Sequence, residues 1–192
     1  MGSFAFQRWR TSAHAELTEL LRAHRAIGGD SRGRRYTTQQ VNRALAVLLA
    51  SHFQAYCRDL HNEVIDHLVA VLEPAAVRPL VRAELERERR LDRGNATPGN
   101  LGTDFGRLAL AFWPALRLAT PEATLMHQQL EALNDWRNAI AHQDFDPDKL
   151  GGTVVLRLNR VRQWRSLLNR MARVMDAMLA RHLQTLLGVC PW

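Results

Sequence analysis

The stretch VNRALAVLLASHFQAYCRDLHNEVIDHLVAV, residues 41–71, decides the fold class. Read at ~3.6 residues per turn, Val41, Leu45, Leu48, His52, Ala55, Asp59/Leu60, Val64, Leu68 and Val71 lie along one broad face. Thr37 and Thr38 supply side-chain oxygens that can cap the start, and Pro74 cannot continue a helix because it lacks the amide donor and crowds the preceding turn. A helix over 39–72 follows, the longest in the chain.

Toward the N-terminus the same period continues. Phe6, Trp9, Ala13, Leu17, Leu20 and His24 recur at steps of three and four until Gly28-Gly29, where glycine suits a left-handed helix exit. A basic loop, 30–36, joins this helix to the long one.

Toward the C-terminus, 79–93 reads as a solvated helix in which Glu84, Glu86 and Glu88 interleave with arginines. A loop over 94–102 leads to Thr103 or Asp104 as the cap of an apolar helix through Leu118, which Pro114 should kink. Thr120 is a suitable N-cap, with Pro121 and Glu122 in the first turn, for a helix carrying Leu125, Gln129, Leu133, Trp136 and Ile140. Asp144, Asp146, Pro147, Gly151 and Gly152 break that pattern. A short extended piece is expected over 153–158, and Asn159 can cap a last helix that turns Val161, Trp164, Leu168, Met171, Met175, Met178 and Leu186 inward. The class is all-α. The expected architecture is a helical bundle with one long central helix and a long C-terminal helix, in a single domain over 1–192: an N-terminal helix and basic loop over 1–36, and a core bundle over 37–192.

Composition narrows the functional classes. The 192 residues are 46% hydrophobic, enough for one sizeable core. There is neither the ~18-residue apolar run of a membrane span nor the h-region of a signal peptide, so a cytoplasmic location with no membrane partner is expected. Cys57 and Cys190 lack metal or disulfide spacing and are expected as free thiols, Cys57 buried. A net charge of +7 and a pI near 10.8 favour a polyanionic partner. Lys149 is the only lysine among 26 basic residues, and GC-rich coding inflates arginine as readily as phosphate recognition does. Arg34, Arg35 and Arg160 are candidate RNA contacts, with Arg32, Arg157, Arg162 and Arg165 beside them; a solvated basic face explains them almost as well.

The other titratable groups point to no metal. His52, His61 and His67 are spaced nine and six residues apart and do not stack on one helix, and Glu63 with His67 is half a site. Asp59, Glu63 and Asp66 have no matching Glu-x-x-His pairs elsewhere and are expected to pair with arginines. No cofactor is called for.

The chemistry-bearing segment is LNDWRNAIAHQD, residues 133–144. It resembles the signature of the HEPN superfamily: an arginine, a polar neighbour, and a histidine after four to six intervening residues, here Arg137, Asn138 and His142. The stretch AVLLASHFQAYCRDL, residues 46–60, is similar to the corresponding helix of the bacterial RiboL-PSP-HEPN branch. The resemblance spans about 41–187, with an extended loop after His142 as a departure from the compact pattern. It implies a metal-independent endoribonuclease of the toxin-antitoxin or antiviral-defence kind, with Arg137, Asn138 and His142 as catalytic residues. It also implies a homodimer that pairs two motifs, and a possible antitoxin or sensor partner.

The side chains suit that reaction. Histidine titrates near neutrality and can carry the proton of a ribose 2′-hydroxyl, arginine can neutralise charge on phosphate oxygens, and asparagine can orient either. At about 100° per residue Asn138 and His142 share a face, whereas Arg137 lies about 140° from His142. Convergence requires the helix to loosen near His142 or a second copy to contribute. Single-stranded or loop RNA is the expected substrate, since a stacked duplex resists in-line attack. The alternatives are a non-catalytic HEPN module that binds nucleic acid and a regulatory helical partner.

Overall fold

The computed structural model describes residues 2–28 and 36–192. It is all-α: among the described residues there is no strand. The elements are α1 (Phe4–Arg8), a π turn (Trp9–Ala13), α2 (His14–Gly28), α3 (Tyr36–Ala70), a 3-10 turn (Ala75–Val77), α4 (Arg78–Glu86), α5 (Arg90–Arg93), α6 (Pro98–Gly106), α7 (Phe112–Ala119), α8 (Ala123–His142) and α9 (Leu158–Leu187).

Helix α3, 35 residues and about 52 Å long at 1.5 Å per residue, is the post around which the others pack. It meets α1, α2, α4, α5, α6, α8 and α9. One apolar cluster runs from Ala5 to Leu183 through Phe53, Leu60, Phe105, Phe112 and Trp164. Cys57 is in it and Cys190 is exposed. Among the described residues no helix is long and apolar enough to cross a membrane.

The N-terminal helix begins where two carboxylates receive it. The Ser3 amide donates to Asp176 Oδ1 at 3.0 Å and its hydroxyl makes a further short bond there, while the amides of Phe4 and Ala5 donate to Glu63 at 2.9 and 3.0 Å. Acceptors at this end offset the unpaired amides and the positive pole of the helix dipole. Glu63 is therefore spent on backbone amides, against the expectation of an arginine partner. Asp59 and Asp66 do pair as expected, with Arg8 and Arg82.

Several boundaries differ from expectation. Helix α3 starts at Tyr36, so Thr37 and Thr38 fall in its first turn and not at its cap. The 79–93 segment is not one solvated helix: Glu88 adopts φ 55°, and α4 and α5 are separate. Asp104, fully buried, accepts the amides of Arg90 and Leu91 at 2.9 and 2.8 Å, so it starts α5 and not the helix in which it resides. Thr97 caps α6, and Ala109 at φ 58° separates α6 from α7. Pro114 lies in the first turn of α7, where its missing amide has no intrahelical acceptor to lose, and produces no kink. Thr120 Oγ1 accepts the Glu122 amide at 3.3 Å, but α8 begins only at Ala123. Helix α9 begins at Leu158 after Arg157, whose backbone is extended at φ −86°, ψ 143°; 153–157 is neither helix nor strand, and within it Thr153 Oγ1 accepts the Val155 amide at 3.1 Å. Val71 and Leu186 end exposed, since each sits at or beyond its helix's last packed turn.

A buried polar knot ties α5 and α6 to α3. Arg89 can only donate, so its 3.4 Å approach makes His61 Nδ1 an acceptor, and the Nε2 proton then goes to the Asp104 carbonyl at 3.1 Å. Arg89 also reaches Asn62 and both Asp92 oxygens. Burial, and secondarily the Arg89 charge, holds His61 below the usual histidine range despite the hydrogen bond to Asp104. The folded chain thus resists a proton that the unfolded chain accepts. Stability is full above the ordinary histidine pKa of ~6.5 and falls as pH drops below it. His14 and His24 pull the same way from more exposed positions. Urea melts from pH 8 to 5 should show this decline, and His61→Gln should flatten it; an identical decline in the variant would assign it elsewhere.

Candidate active site at the end of helix α8

Helix α8 is oriented by a buried stripe of Met126, Leu130, Leu133, Trp136 and Ala139. Asn134 reinforces it from the same side, its amide donating to the Ala96 and Leu130 carbonyls at 3.1 and 2.8 Å. With that stripe inward, Asn138 and His142 must face solvent, and Arg137 is half-buried at the edge.

The helix does not loosen before its end. It stays α-helical through His142, then Gln143 takes the left-handed conformation at φ 56°, ψ 29° and its amide returns to the Ala139 carbonyl. The Asp144 amide donates to the same carbonyl at 3.0 Å, and the Gln143 side chain covers the Ile140 carbonyl at 2.7 Å. This is a Schellman-type end that satisfies the last carbonyls. Unwinding within one chain is therefore not how Arg137 meets His142.

Asn138 links the set. Its Oδ1 accepts from Arg137 Nη1 at 3.3 Å and from Asn95 Nδ2 at 2.8 Å. Asn95 is itself held by its loop, its carbonyl accepting from Asn100 Nδ2 at 2.7 Å and from the Thr97 amide at 2.8 Å. Sequence reasoning missed Asn95, which lies in the loop expected over 94–102.

On its other side Asn138 lines a cavity of about 280 Å³ with Asp135, Ala139, His142, Asp144, Asp146, Lys149 and Leu150. The extended loop after His142 builds the far wall. Leu150 is buried, its amide returns to the carbonyls of Asp146 and Pro147, and Gly152 closes on Pro147 at 2.8 Å. Gly151 and Gly152 at φ 75° and 80° occupy the left-handed region open to glycine at little steric cost. Asn42 of α3 then holds the Leu156 carbonyl at 2.8 Å, and Arg43 lies 4.0 Å over the Phe145 ring.

Three carboxylates against Lys149 and His142 make this cavity a set of acceptors. Burial, then the charge of Glu131, pushes the Asp135 carboxyl up. Asp146 is spent locally, on the Asp148 amide and Lys149. Like charge disfavours a phosphate here, whereas the carboxylate oxygens can accept hydrogen bonds from a donor-bearing group. Arg137, absent from the lining, offers guanidinium donors on the adjoining surface. His142 therefore stands between a side that takes donors and a side that takes anions.

Among the described residues, the other expected ones are not gathered here. Arg34 and Arg35 lie outside the described residues, as does Arg32. Arg160 is exposed, 5.2 Å over the Trp164 ring, in a separate groove with Leu125, Gln129, Gln163, Ser166 and Arg170. His52 approaches Glu16 at 3.2 Å and His67 faces the Trp192 ring. Among the described residues no three His, Cys, Asp or Glu side chains are placed to hold a metal ion. No family model, no curated protein and no solved structure matches this chain.

Proposed function

We propose that the chain is a metal-independent, HEPN-type endoribonuclease that cleaves single-stranded or loop RNA, with Arg137, Asn138 and His142 as its catalytic set. The observation that carries this reading is the sharing of Asn138: it touches Arg137 and lines the cavity of His142, so all three motif residues form one patch at the end of α8.

His142 takes the proton of the ribose 2′-hydroxyl, whose oxygen attacks the adjacent phosphorus. The bond from phosphorus to the 5′-oxygen breaks, and the leaving oxygen receives a proton from a second acid. The products are a 2′,3′-cyclic phosphate and a 5′-hydroxyl. Arg137 neutralises the charge that grows on the non-bridging oxygens, and Asn138 holds the guanidinium in place. Because Arg137 and His142 diverge around a regular helix, the second acid and a further arginine come from another copy of the chain, in a homodimer that apposes two α8 ends. A cytoplasmic toxin or defence effector restrained by an antitoxin or sensor protein fits such an activity.

The test is cleavage of labelled total RNA by purified protein in excess chelator, with Arg137→Ala and His142→Ala in parallel. Chelator-resistant cutting with cyclic phosphate ends, lost in both variants, is expected. Intact RNA throughout, or cutting that survives both substitutions, overturns the reading. Light scattering should give twice the 21.9 kDa chain mass, and a monomer that cuts RNA removes the two-copy site.

A further inference from the structure

A second basic feature lies along α9, on a stripe different from the one that packs against α8. Arg162, Arg165, Asn169 and Arg173 follow at steps of three, four and four, so they share one face of α9 over about 16 Å. That face meets the N-terminal helix. Between them is a groove of about 300 Å³ lined by Phe6, Trp9, Arg10, His14, Asn169 and Arg173.

The lining offers donors and no carboxylate. Arg10 and Arg173 are exposed and make no ion pair among the described residues, Arg10 lying 5.8 Å over the Phe6 ring. Asn169 accepts the buried Trp9 Nε1 proton at 3.0 Å, which fixes the amide and leaves its NH₂ without an acceptor among the described residues. Arg165 donates to the His14 carbonyl at 3.3 Å and to Thr18 Oγ1 at 3.0 Å, both neutral acceptors, and no described carboxylate pairs with it. The next carboxylate along α9, Asp176, is buried and taken by Ser3.

The local field agrees with the geometry. Burial, then the charges of Arg165 and Arg10, keep His14 below the usual histidine range, and burial followed by Arg162 does the same for His24. Two histidines of one helix each feel an arginine of the other that has no carboxylate partner among the described residues. Arginines brought together without counter-charge repel, and the natural ligand for such a seam is a chain of anions that also accepts hydrogen bonds. The N-terminal helix widens to a π turn at Trp9–Ala13, where the groove opens, and π turns recur at functional sites.

We propose that this seam between the N-terminal helix and α9 binds the phosphate backbone of single-stranded RNA, as a site separate from the α8 end. Its length accommodates about four phosphates at the 3.4 Å spacing of a stacked strand. Arg10, Arg173 and the Asn169 amide hold one phosphate in the groove, and Arg165 and Arg162 extend the track toward His24. The proposal rests on RNA as the partner but not on cleavage at His142.

The test is fluorescence anisotropy of a labelled single-stranded RNA with full-length His142→Ala protein, across a salt series. In that background Arg10→Gln/Arg173→Gln is compared with Arg93→Gln/Arg117→Gln, which removes two exposed arginines elsewhere. The seam pair is expected to weaken binding at least about tenfold, the scale of losing charge-assisted hydrogen bonds. It should also reduce the slope of log K against log salt by about 0.7, the value for one single-strand phosphate contact. The control pair should change the affinity far less, and thermal melts should confirm that both variants fold. Equal losses in the two pairs, or a parent protein that does not bind the RNA, overturn the proposal. Seam-dependent binding by a wild-type protein that never cuts RNA supports the seam and rejects only the ribonuclease.

Discussion

His142→Ala is expected to lower the rate of RNA cleavage by about 10²- to 10⁴-fold, the range typical of a positioned general acid or base. The loss belongs to chemistry and not to folding. His142 is exposed at the last position of α8, and the turn behind it is held by the amides of Gln143 and Asp144 on Ala139, none of which needs the imidazole. Its melting temperature should match the wild type, as for most surface substitutions away from buried networks. Arg137→Lys separates charge from shape: lysine keeps the cation but loses the planar fork, so cutting should fall well below wild type while remaining above Arg137→Ala. Asn95→Ala provides a further check on position. Removing the bond that holds Asn138 should reduce turnover without touching a reacting group. A His142→Ala protein that cuts at the wild-type rate would falsify the assignment.

Trp164→Ala should produce the largest loss of stability, about 3–5 kcal/mol, the cost of emptying a buried aromatic site. Trp164 is 1% exposed, sits on the face of α9 that packs against α8, and donates its indole proton to Gln129 Oε1 at 3.2 Å. Its removal opens a void between these helices and leaves the Gln129 oxygen without its donor. At ~2–4 °C per kcal/mol for a chain of this size, the melting temperature should drop by about 6–20 °C. Trp164→Phe keeps most of the volume and should lose less. A shift of only a degree or two in the alanine variant would mean that the α8–α9 seam relaxes around the gap.

The bundle was legible because helix packing leaves a periodic trace. Leu45, Leu60 and Val64 on α3 and Val161, Trp164, Leu168, Met171 and Met175 on α9 are buried as their spacing requires. The misplaced boundaries share one physical origin. Asp104 reads as a helix cap for its own segment, but its carboxylate serves α5, fourteen and thirteen residues upstream. Glu63 reads as an arginine partner, yet the amides of Phe4 and Ala5 claim it across 59 and 58 residues. Polar side chains short of local partners are committed by whatever the fold brings near, and no periodicity records that. The candidate site divides along the same line. Arg137, Asn138 and His142 stand out within the twelve residues 133–144, whereas Asn95, the acidic wall from Asp135 to Asp146 and the separation of Arg160 from His142 do not.

By itself the sequence determined that the chain is all-α, which residues of its long helices turn inward, and which short segment sets an arginine, an asparagine and a histidine close together. These follow from a backbone period of ~3.6 residues and from the side-chain groups themselves. Only the tertiary structure decided that α8 stays regular through His142, that the following loop folds back to make an acceptor-lined cavity, and that Arg10 meets Asn169 and Arg173 across a groove. Each depends on contacts between residues far apart in the chain, where distance in space is set by packing and not by spacing.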